Sequence, residues 1–325
     1  MMYYVVTGAA GFIGSKLVEA LNRHGVTDII AVDNLQQADK ASNLAGCDIA
    51  DYVDQAEFIA KLDQYEGAVD AVLHQGACSD TMESDGRFMM ENNYRYSKTL
   101  LEWCQEEEVP LLYASSASVY GAGPEFREER RGERPLNVYG YSKFLFDHAV
   151  RARLAARTAQ IAGLRYFNVY GPNEAHKGRM ASVAFHAYRQ LLESGRVKLF
   201  VGSGGYGNGE QRRDFIHVDD VVGVNLWFLE QRDLSGIFNC GTGRAQTFNQ
   251  LAAAVINSVQ GTRLPVRELV DKGLIEYVPF PAGLADRYQS HTEADLSRLR
   301  AAGYTAPFMS VEQGVAAYVK ALQQK

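Results

Sequence analysis

The chain has 325 residues, of which 46% are hydrophobic and 22% are charged, and its formal net charge at pH 7 is −6. This composition is typical of a globular protein with a substantial core. The negative charge disfavours nucleic-acid binding and leaves no basic patch for a membrane surface. We expect no signal peptide and no membrane span, because no apolar run approaches the roughly 20 residues that a bilayer requires. The four cysteines are far apart and lack flanking histidines, so we expect reduced thiols, no metal site and a cytoplasmic location.

A glycine-rich segment follows the first predicted strand. The β-branched and aromatic run at residues 3–7 leads into Gly8-Ala9-Ala10-Gly11-Phe12-Ile13-Gly14, and the amphipathic run after it predicts a helix to His24. Such turns let backbone N–H groups approach a pyrophosphate at a helix N-terminus. A second strand, predicted at 28–32, ends at Asp33, about 20 residues beyond the glycines, where a ribose-binding carboxylate is expected. The segment therefore predicts a dinucleotide site.

Strands and helices continue to alternate as far as Pro172. The predicted strands are at 47–49, 69–74, 109–114 and 160–167, and the predicted helices are at 55–64, 86–108 and 140–157. This rhythm indicates parallel βαβ units. We therefore predict an α/β fold with a Rossmann-type, doubly wound parallel sheet.

The pattern after Pro172 is less regular. Strands are predicted at 197–201, from Arg212, at 237–239 and at 276–280, and helices at 180–194, 219–230, 247–259 and twice near the C-terminus. The glycines of Gly202–Gly209 predict a flexible loop. We expect a second, smaller mixed α/β domain for the substrate, formed by residues 171–212 and 243–325. Residues 1–170 and 213–242 would form the cofactor-binding domain.

Two Tyr/Lys pairs have the spacing of a proton-transfer device. Tyr139 and Lys143, like Tyr94 and Lys98, stand four residues apart and so share one face of a predicted helix. A neighbouring ammonium favours the phenolate and should lower the pKa of the phenol from about 10. The pair Tyr139/Lys143 begins a helix that follows a strand ending at Ser116, and ligands collect at such strand ends. We therefore choose Tyr139 as the acid–base residue, with the Ser116 hydroxyl holding the reacting oxygen.

Several motifs resemble a known family. The motifs G-A-A-G-F-I-G at 8–14, S-S-A-S-V-Y-G at 115–121, Y-G-Y-S-K at 139–143 and R-Y-F-N-V-Y-G-P at 165–172 together resemble the extended short-chain dehydrogenase/reductase superfamily. Within it, D-N-L at 33–35, Q-G-A-C-S at 75–79, N-N-Y at 92–94, P-L-N-V-Y-G-Y-S-K-F-L-F-D at 135–147 and H-K-G-R-M-A-S-V-A-F-H at 176–186 are similar to the ADP-L-glycero-D-manno-heptose 6-epimerase family. The resemblance implies tightly held NADP and an ADP-heptose substrate, inverted at C6″ for the inner core of lipopolysaccharide. It also implies a homo-oligomer, such as a pentamer.

The same resemblance implies roles for individual residues. Tyr139 and Lys177 would be the two acid–base groups, and Lys143 would orient Tyr139 and the nicotinamide ribose. The residues expected to line the cofactor are Gly8, Gly11, Phe12, Ile13, Gly14, Asp33, Asn34, Lys40, Gln75, Gly76, Ala77, Cys78, Ser79, Asn92, Lys143, Val169 and Lys177. Those expected to hold the ADP-sugar are Asn168, Arg179, His186, Phe200, Val201, Gly202, Ser203, Arg213 and Tyr288. The Arg213 guanidinium suits a diphosphate.

Alternatives remain for the cofactor and the reaction. Asp33 alone favours NAD, because a carboxylate repels a 2′-phosphate, whereas Lys40 and Asn34 can offset that repulsion; we expect NADP, with NAD as the alternative. A UDP-hexose 4-epimerase would share the Ser/Tyr/Lys set but not His176-Lys177-Gly178. A sugar-nucleotide dehydratase would need acidic residues at 117 and 118, where Ala and Ser stand. A non-catalytic NADP(H)-binding regulator predicts a damaged Ser/Tyr/Lys set, and here the set is intact.

Overall fold

The structure, a computed structural model, describes residues 2–281 and 289–324. The chain divides into two units: the first comprises Met1–Tyr166, Val221–Cys240 and Ser297–Tyr304, and the second comprises Phe167–Asp220, Gly241–Leu296 and Thr305–Lys325. These units differ from the expected domains mainly at 213–220, which lies in the second unit, and at 297–304, which lies in the first. The assignment of cofactor and substrate to separate domains stays a prediction.

The secondary structure follows in chain order. The strands are β1 (Tyr3–Thr7), β2 (Ile29–Asp33), β3 (Asp51–Asp54), β4 (Val69–His74), β5 (Leu111–Ser116), β6 (Ile161–Tyr166), β7 (Asn168–Tyr170), β8 (Val197–Phe200), β9 (Arg212–His217), β10 (Gly236–Cys240), β11 (Ala245–Thr247) and β12 (Ile275–Val278). The helices are α1 (Phe12–Arg23), α2 (Gln55–Ala60), α3 (Gly86–Met89), α4 (Tyr96–Glu106), α5 (Val138–Arg153), α6 (Val183–Ser194), α7 (Val218–Glu230), α8 (Phe248–Gln260), α9 (Val266–Asp271), α10 (Ser297–Ala301) and α11 (Val311–Gln323). A π-helical segment, Met90–Arg95, joins α3 to α4.

The first unit contains the predicted doubly wound sheet. Among its described residues, seven parallel strands lie in the order β10-β6-β5-β4-β1-β2-β3. The strand order reverses between β1 and β4, and ligands of such sheets bind outside the carboxyl ends at this switch point. Strands β2 and β10 are buried at every residue, as expected for a parallel sheet covered on both faces. The fold class predicted from the sequence is confirmed.

The second unit is a smaller mixed structure. Its described strands form one sheet in the order β11-β9-β7 and another that pairs β12 with β8. Helices α6, α8 and α11 contribute to one apolar core with β8 and β9, in which Leu191, Phe215, Leu251 and Val315 are buried. Helices α8 and α11 each begin with a capping box, at Thr247 and Ser310, which satisfies the first backbone donors of each helix.

One of the local predictions was wrong. The strand predicted at Cys47–Ile49 is absent from this part of the described chain, because the side chain of Asn22 pairs with the Asp48 backbone (2.8 Å for each of two hydrogen bonds) and β3 begins only at Asp51. The helix predicted at 86–108 is confirmed as a continuous helical run of α3, the π-helical segment and α4, which ends at Glu106. The glycine-rich segment is a loop, as predicted, with turns in which the Gly202 N–H donates to Asn208 Oδ1 at 2.9 Å, and its flexibility stays a prediction. None of the described helices combines the length and the apolar character that crossing a bilayer requires.

Candidate active site

The turn between β1 and α1 lies directly against the residues that follow β4. A Cβ atom added to Gly8 would lie 2.7 Å from the Gly76 nitrogen, and one added to Gly14 would lie 2.0 Å from the Gly8 oxygen. Gly8 also has a φ of +65°, which favours glycine. Only glycine therefore allows the two strand ends and the start of α1 to come together, and the result is a tight turn at the switch point, which we call the glycine cradle.

The negative charge of the Asp33 carboxylate is compensated at the end of β2 by hydrogen-bond donors and an ammonium. Its Oδ2 accepts a hydrogen bond from the Ala10 N–H (3.0 Å), and its Oδ1 accepts one from the Asn34 N–H (2.8 Å). Oδ1 also forms an ion pair with Lys40 Nζ, which in addition donates to Asn34 Oδ1 at 3.3 Å. The structure thus brings three of the predicted cofactor residues together, and it places an ammonium beside the carboxylate.

A buried polar chain that sequence analysis missed links the strand ends to helix α4. The Gly76 N–H donates to Thr7 Oγ1 (3.1 Å), Thr7 Oγ1 lies 2.6 Å from His74 Nδ1, and His74 Nε2 lies 2.7 Å from Ser97 Oγ. Ser97 donates its only proton to the Asn93 carbonyl (2.5 Å), so His74 must donate through Nε2 and accept from Thr7 at Nδ1. Burial lowers the pKa of His74 to about 3, which keeps this arrangement neutral.

Asn93, rather than the predicted Asn92, makes the central contacts of the π-helical segment. Its amide exchanges two 2.9 Å hydrogen bonds with the backbone of Cys78 and donates to Ser142 Oγ at 3.2 Å. Ser142 in turn donates to the Tyr139 carbonyl (2.7 Å). Asn92 lies at the edge of this group and donates to Asn93 Oδ1 (3.0 Å). The Asn-Asn pair in the sequence was the available signal, but the π turn decides which of the two faces inward.

Tyr139 stands in the first turn of α5. Asn137 caps this helix by accepting from the Gly140 N–H at 2.8 Å, and a Cβ added to Gly140 would lie 2.8 Å from the Ser118 oxygen. The helix therefore begins tightly against the residues after β5, and Tyr139 forms a hydrogen bond with the buried Ser116 side chain. Tyr139 itself is half-buried. The structure thus brings Tyr139 and Ser116 together, as predicted.

The expected effect of Lys143 on the Tyr139 phenol is wrong. Burial raises the pKa of Tyr139, the hydrogen bond with Ser116 opposes that rise, and Cys78 adds to it. The reason is that Lys143 Nζ donates instead to the Ala114 carbonyl at 2.8 Å. Burial lowers the pKa of Lys143 to about 8, and the nearby Asp147 limits this shift.

The other Tyr/Lys pair, Tyr94 and Lys98, has a different environment. Lys98 is exposed and lies 3.5 Å from Glu102 in an i,i+4 ion pair on α4, and Tyr94 packs against the core of the first unit. A surface ion pair of this kind contributes little to the stability of the fold. The geometry is consistent with the choice of Tyr139.

Lys177 lies in the second unit, in the 3₁₀ segment Ala175–Met180. Burial lowers its pKa, and the carboxylate of Glu174 opposes the shift. Gly178, with a φ of +52°, turns the chain directly after it. A lysine with a lowered pKa can give and take a proton nearer to neutral pH than an exposed one.

The predicted substrate residues that the structure describes also belong to the second unit. Arg213 is buried on β9, with its guanidinium 5.5 Å from the centre of the Phe248 ring. The segment Phe200–Ser203 is held by Gln211, the residue before β9, whose Nε2 donates to the Val201 carbonyl (3.0 Å) and to Ser203 Oγ (3.2 Å). His186 lies on α6, Asn168 on β7 and Arg179 in the segment of Lys177. Tyr288 lies outside the described residues.

Comparison with known proteins places this arrangement among related enzymes. Residues 4–241 match the NAD dependent epimerase/dehydratase family. A curated ADP-L-glycero-D-manno-heptose-6-epimerase from Thiobacillus denitrificans is 60% identical over 328 residues, covering 99% of each chain. The crystal structure of a Helicobacter pylori ADP-L-glycero-D-manno-heptose-6-epimerase is 28% identical, with a TM-score of 0.82 and coverage of 99% of this chain and 96% of that chain. A Thermus thermophilus UDP-glucose 4-epimerase in complex with NAD is 27% identical, with a TM-score of 0.79 and 99% coverage of both chains.

Replacing Lys143 with Met tests the burial of its ammonium. The pKa of Lys143 falls from 10.5 to about 8 on folding, so between these values the unfolded chain binds more protons than the folded one. Stability attributable to this site therefore rises with pH across that window. We therefore compare the free energies of unfolding of the unsubstituted protein and K143M. The value for the unsubstituted protein minus that for K143M should increase by about 1–3 kcal/mol between about pH 7 and about pH 10.

Urea denaturation of the cofactor-free proteins measures this difference. The lost hydrogen bond to Ala114 adds an offset that does not depend on pH and is removed by comparing the two ends of the range. Lys98→Met, at an exposed position, is the control and should show no such trend. A constant difference between K143M and the unsubstituted protein would contradict the prediction.

Proposed function

The chain belongs to the NAD dependent epimerase/dehydratase family, and from that premise we propose that it is an ADP-L-glycero-D-manno-heptose 6-epimerase. The observation that carries this proposal is 60% identity to a curated epimerase of that name over essentially the whole of both chains. The enzyme inverts C6″ of ADP-D-glycero-D-manno-heptose and so supplies the heptose of the lipopolysaccharide inner core. Its cytoplasmic location and its assembly as a homo-oligomer, such as a pentamer, stay predictions.

A nicotinamide dinucleotide fits the residues at the switch point. Gly8, Gly14 and Gly76 allow the close backbone packing of the turn between β1 and α1, where any side chain would meet neighbouring protein atoms, and such a turn brings a dinucleotide's phosphates to a helix N-terminus. Gln75 accepts from the Tyr166 hydroxyl through Oε1 (3.0 Å), while its buried Nε2 has no partner among the described residues and can donate to a ligand. When bound, the nicotinamide supplies reversible hydride acceptance at the carbon that is inverted.

We propose NADP in preference to NAD. An unpaired Asp33 carboxylate would repel a 2′-phosphate, but here Lys40 forms an ion pair with it and also reaches Asn34. The ammonium compensates the carboxylate and presents a positive charge to a phosphate. The remaining predicted cofactor residues keep their proposed roles.

Tyr139 and Ser116 are proposed to handle the proton at the reacting oxygen. The Ser116 hydroxyl fixes the phenol of Tyr139 at the end of β5. Because burial raises the pKa of that phenol, Tyr139 carries its proton at neutral pH and donates it to a substrate oxygen from Oη. Lys143 holds the first turns of α5 in place through its bond to Ala114.

Lys177 is proposed as the second acid–base group. Inversion of a centre returns the hydride to the opposite face, so proton transfer is needed from two different positions. The lowered pKa of Lys177 suits it to accept a proton that Tyr139 does not. The buried guanidinium of Arg213 is proposed to hold the diphosphate.

The decisive experiment is incubation of the purified, cofactor-loaded protein with ADP-D-glycero-D-manno-heptose. The proton and carbon NMR signals at C6″ should change to those of the L-glycero epimer until the two reach equilibrium. UDP-glucose is offered in a parallel sample and should remain unchanged. Conversion of UDP-glucose in its place would favour a 4-epimerase, and no conversion of either sugar by folded protein would favour a non-catalytic role.

Tyr139→Phe tests the acid–base assignment. We expect the fold and cofactor content to be retained and turnover to fall about 10²–10⁴-fold, which is the usual contribution of general acid–base catalysis. Tyr94→Phe is the matched control, since Tyr94 has the same spacing to a lysine, and its turnover should stay close to that of the unsubstituted enzyme. Equal losses in the two variants would refute the choice of Tyr139.

Lys40→Met tests the cofactor preference. Loss of the ammonium leaves Asp33 uncompensated, so we expect the affinity for NADP to fall at least about tenfold relative to that for NAD, or about 1.4 kcal/mol. Isothermal titration of cofactor-free protein measures both affinities. Lys61→Met, which removes an exposed lysine paired with Glu57, should leave the ratio unchanged. An unaltered ratio in K40M would count against the proposed role of Lys40.

A further inference from the structure

Glu174 is a fully buried carboxylate of the second unit, three residues before Lys177. Three donors converge on it: the Gly171 N–H (3.3 Å) and the Ser182 hydroxyl (2.7 Å) at Oε1, and the Ser182 N–H (2.5 Å) at Oε2. A carboxylate surrounded by donors acts only as an acceptor, as the ionised form does. The proposed catalytic steps give this buried charge no role.

The partners of Glu174 stand on both sides of the segment that carries Lys177. Gly171 precedes Ala175–Met180, and Ser182 follows it and caps α6 by accepting from the Phe185 N–H (3.2 Å). The Lys177 N–H donates to the Glu174 carbonyl at 3.0 Å. One residue therefore closes the segment through its side chain and holds Lys177 through its backbone.

Several charged and titratable side chains surround the segment that carries Lys177. Burial lowers the pKa of Lys177, and Glu174 is the charged residue that opposes this. Tyr318 on α11 also faces Glu174, and the pKa of its phenol is raised by burial and by that carboxylate. His176 and Arg179 flank Lys177 on its own segment.

Two further carboxylates of the second unit act elsewhere. Asp220 and Glu312 raise the pKa of the Tyr170 phenol, after burial as the larger cause. They do not contribute to the shift at Lys177. Glu174, by contrast, opposes the shift at Lys177.

We propose that Glu174 is a positioning residue for Lys177, holding its segment closed and favouring the protonated amine. This inference rests on the proposed role of Lys177 as the second acid–base group. Glu174 would then determine both where the lysine lies and the pH range over which it exchanges a proton.

Glu174→Gln removes the charge and keeps the side-chain shape. We expect the pKa of Lys177 to fall by about one unit when the opposite charge is lost. Because Lys177 accepts a proton as the neutral amine, the acid limb of the pH–rate profile that it controls should move to lower pH by the same amount, and kcat below that limb should rise by up to about tenfold, with little change in KM. Carbon-13 NMR of reductively methylated lysines reads the pKa directly, with Lys177→Arg identifying the signal.

Two variants separate charge from structure. Ser182→Ala removes a hydrogen bond to Glu174 and the cap of α6 but keeps the carboxylate, so it should lower thermal stability and leave the Lys177 pKa in place. Glu174→Asp keeps the charge on a shorter side chain and should restore part of the shift. An unchanged Lys177 signal in E174Q, or an equal shift in S182A, would overturn the proposal.

Lys177→Met distinguishes failure of this inference from failure of the proposed function. If K177M turns over like the unsubstituted enzyme, the second-base role fails, and the NMR shift in E174Q still decides whether Glu174 controls the lysine. If K177M is inactive while E174Q leaves the Lys177 signal and the pH profile unchanged, only the role of Glu174 fails.

Discussion

The ammonium of Lys143 is buried beneath the end of β5, and much of the first unit is arranged around it. A buried charge is tolerated only with partners, and Lys143 has the Ala114 carbonyl and, one turn along α5, the carboxylate of Asp147. Asp147 is itself fixed by Tyr113 (2.8 Å), by Ser115 (3.0 Å) and by Arg165 (2.9 Å). These bonds join α5 to β5 and β6 and so determine its rotation. The phenol of Tyr139, one turn before Lys143, inherits that orientation.

Lys177 in the second unit is treated in a similar way. Each lysine has a pKa lowered by burial, and each has a carboxylate nearby that limits the shift. The support differs, because Asp147 is held by side chains of regular elements, whereas Glu174 is held by a serine and by backbone donors around a short segment. Breaking one member of such a buried set leaves an uncompensated charge. The two carboxylates thus offset part of the cost of burying the lysines, while burial still lowers the pKa of each.

Much of this arrangement was predictable from the sequence. Continuous apolar strands, the glycine turn and the position of Asp33 predicted the doubly wound sheet and the place of a dinucleotide site after its first strand, since each depends on local patterns. The strand at Cys47–Ile49 failed because a side chain, Asn22, competes with the sheet for that backbone. The internal role of Asn93 was missed because a π turn decides which of the two asparagines faces inward, and the pKa direction at Tyr139 failed because it depends on burial and on where Lys143 donates. Those outcomes depend on tertiary contacts, which local sequence patterns do not contain.

The chain of hydrogen bonds through His74 adds a constraint on how the site can move. It begins at the Gly76 N–H in the glycine cradle and ends at the Asn93 carbonyl, and the Asn93 amide holds both Cys78 and Ser142. Since every proton in the chain is assigned and the pKa of His74 is about 3, its direction does not change near neutral pH. A shift of the cradle would therefore have to break a buried hydrogen bond, which costs about 1–3 kcal/mol. The cradle and the first turn of α5 are thus held in one fixed arrangement by the same set of buried hydrogen bonds.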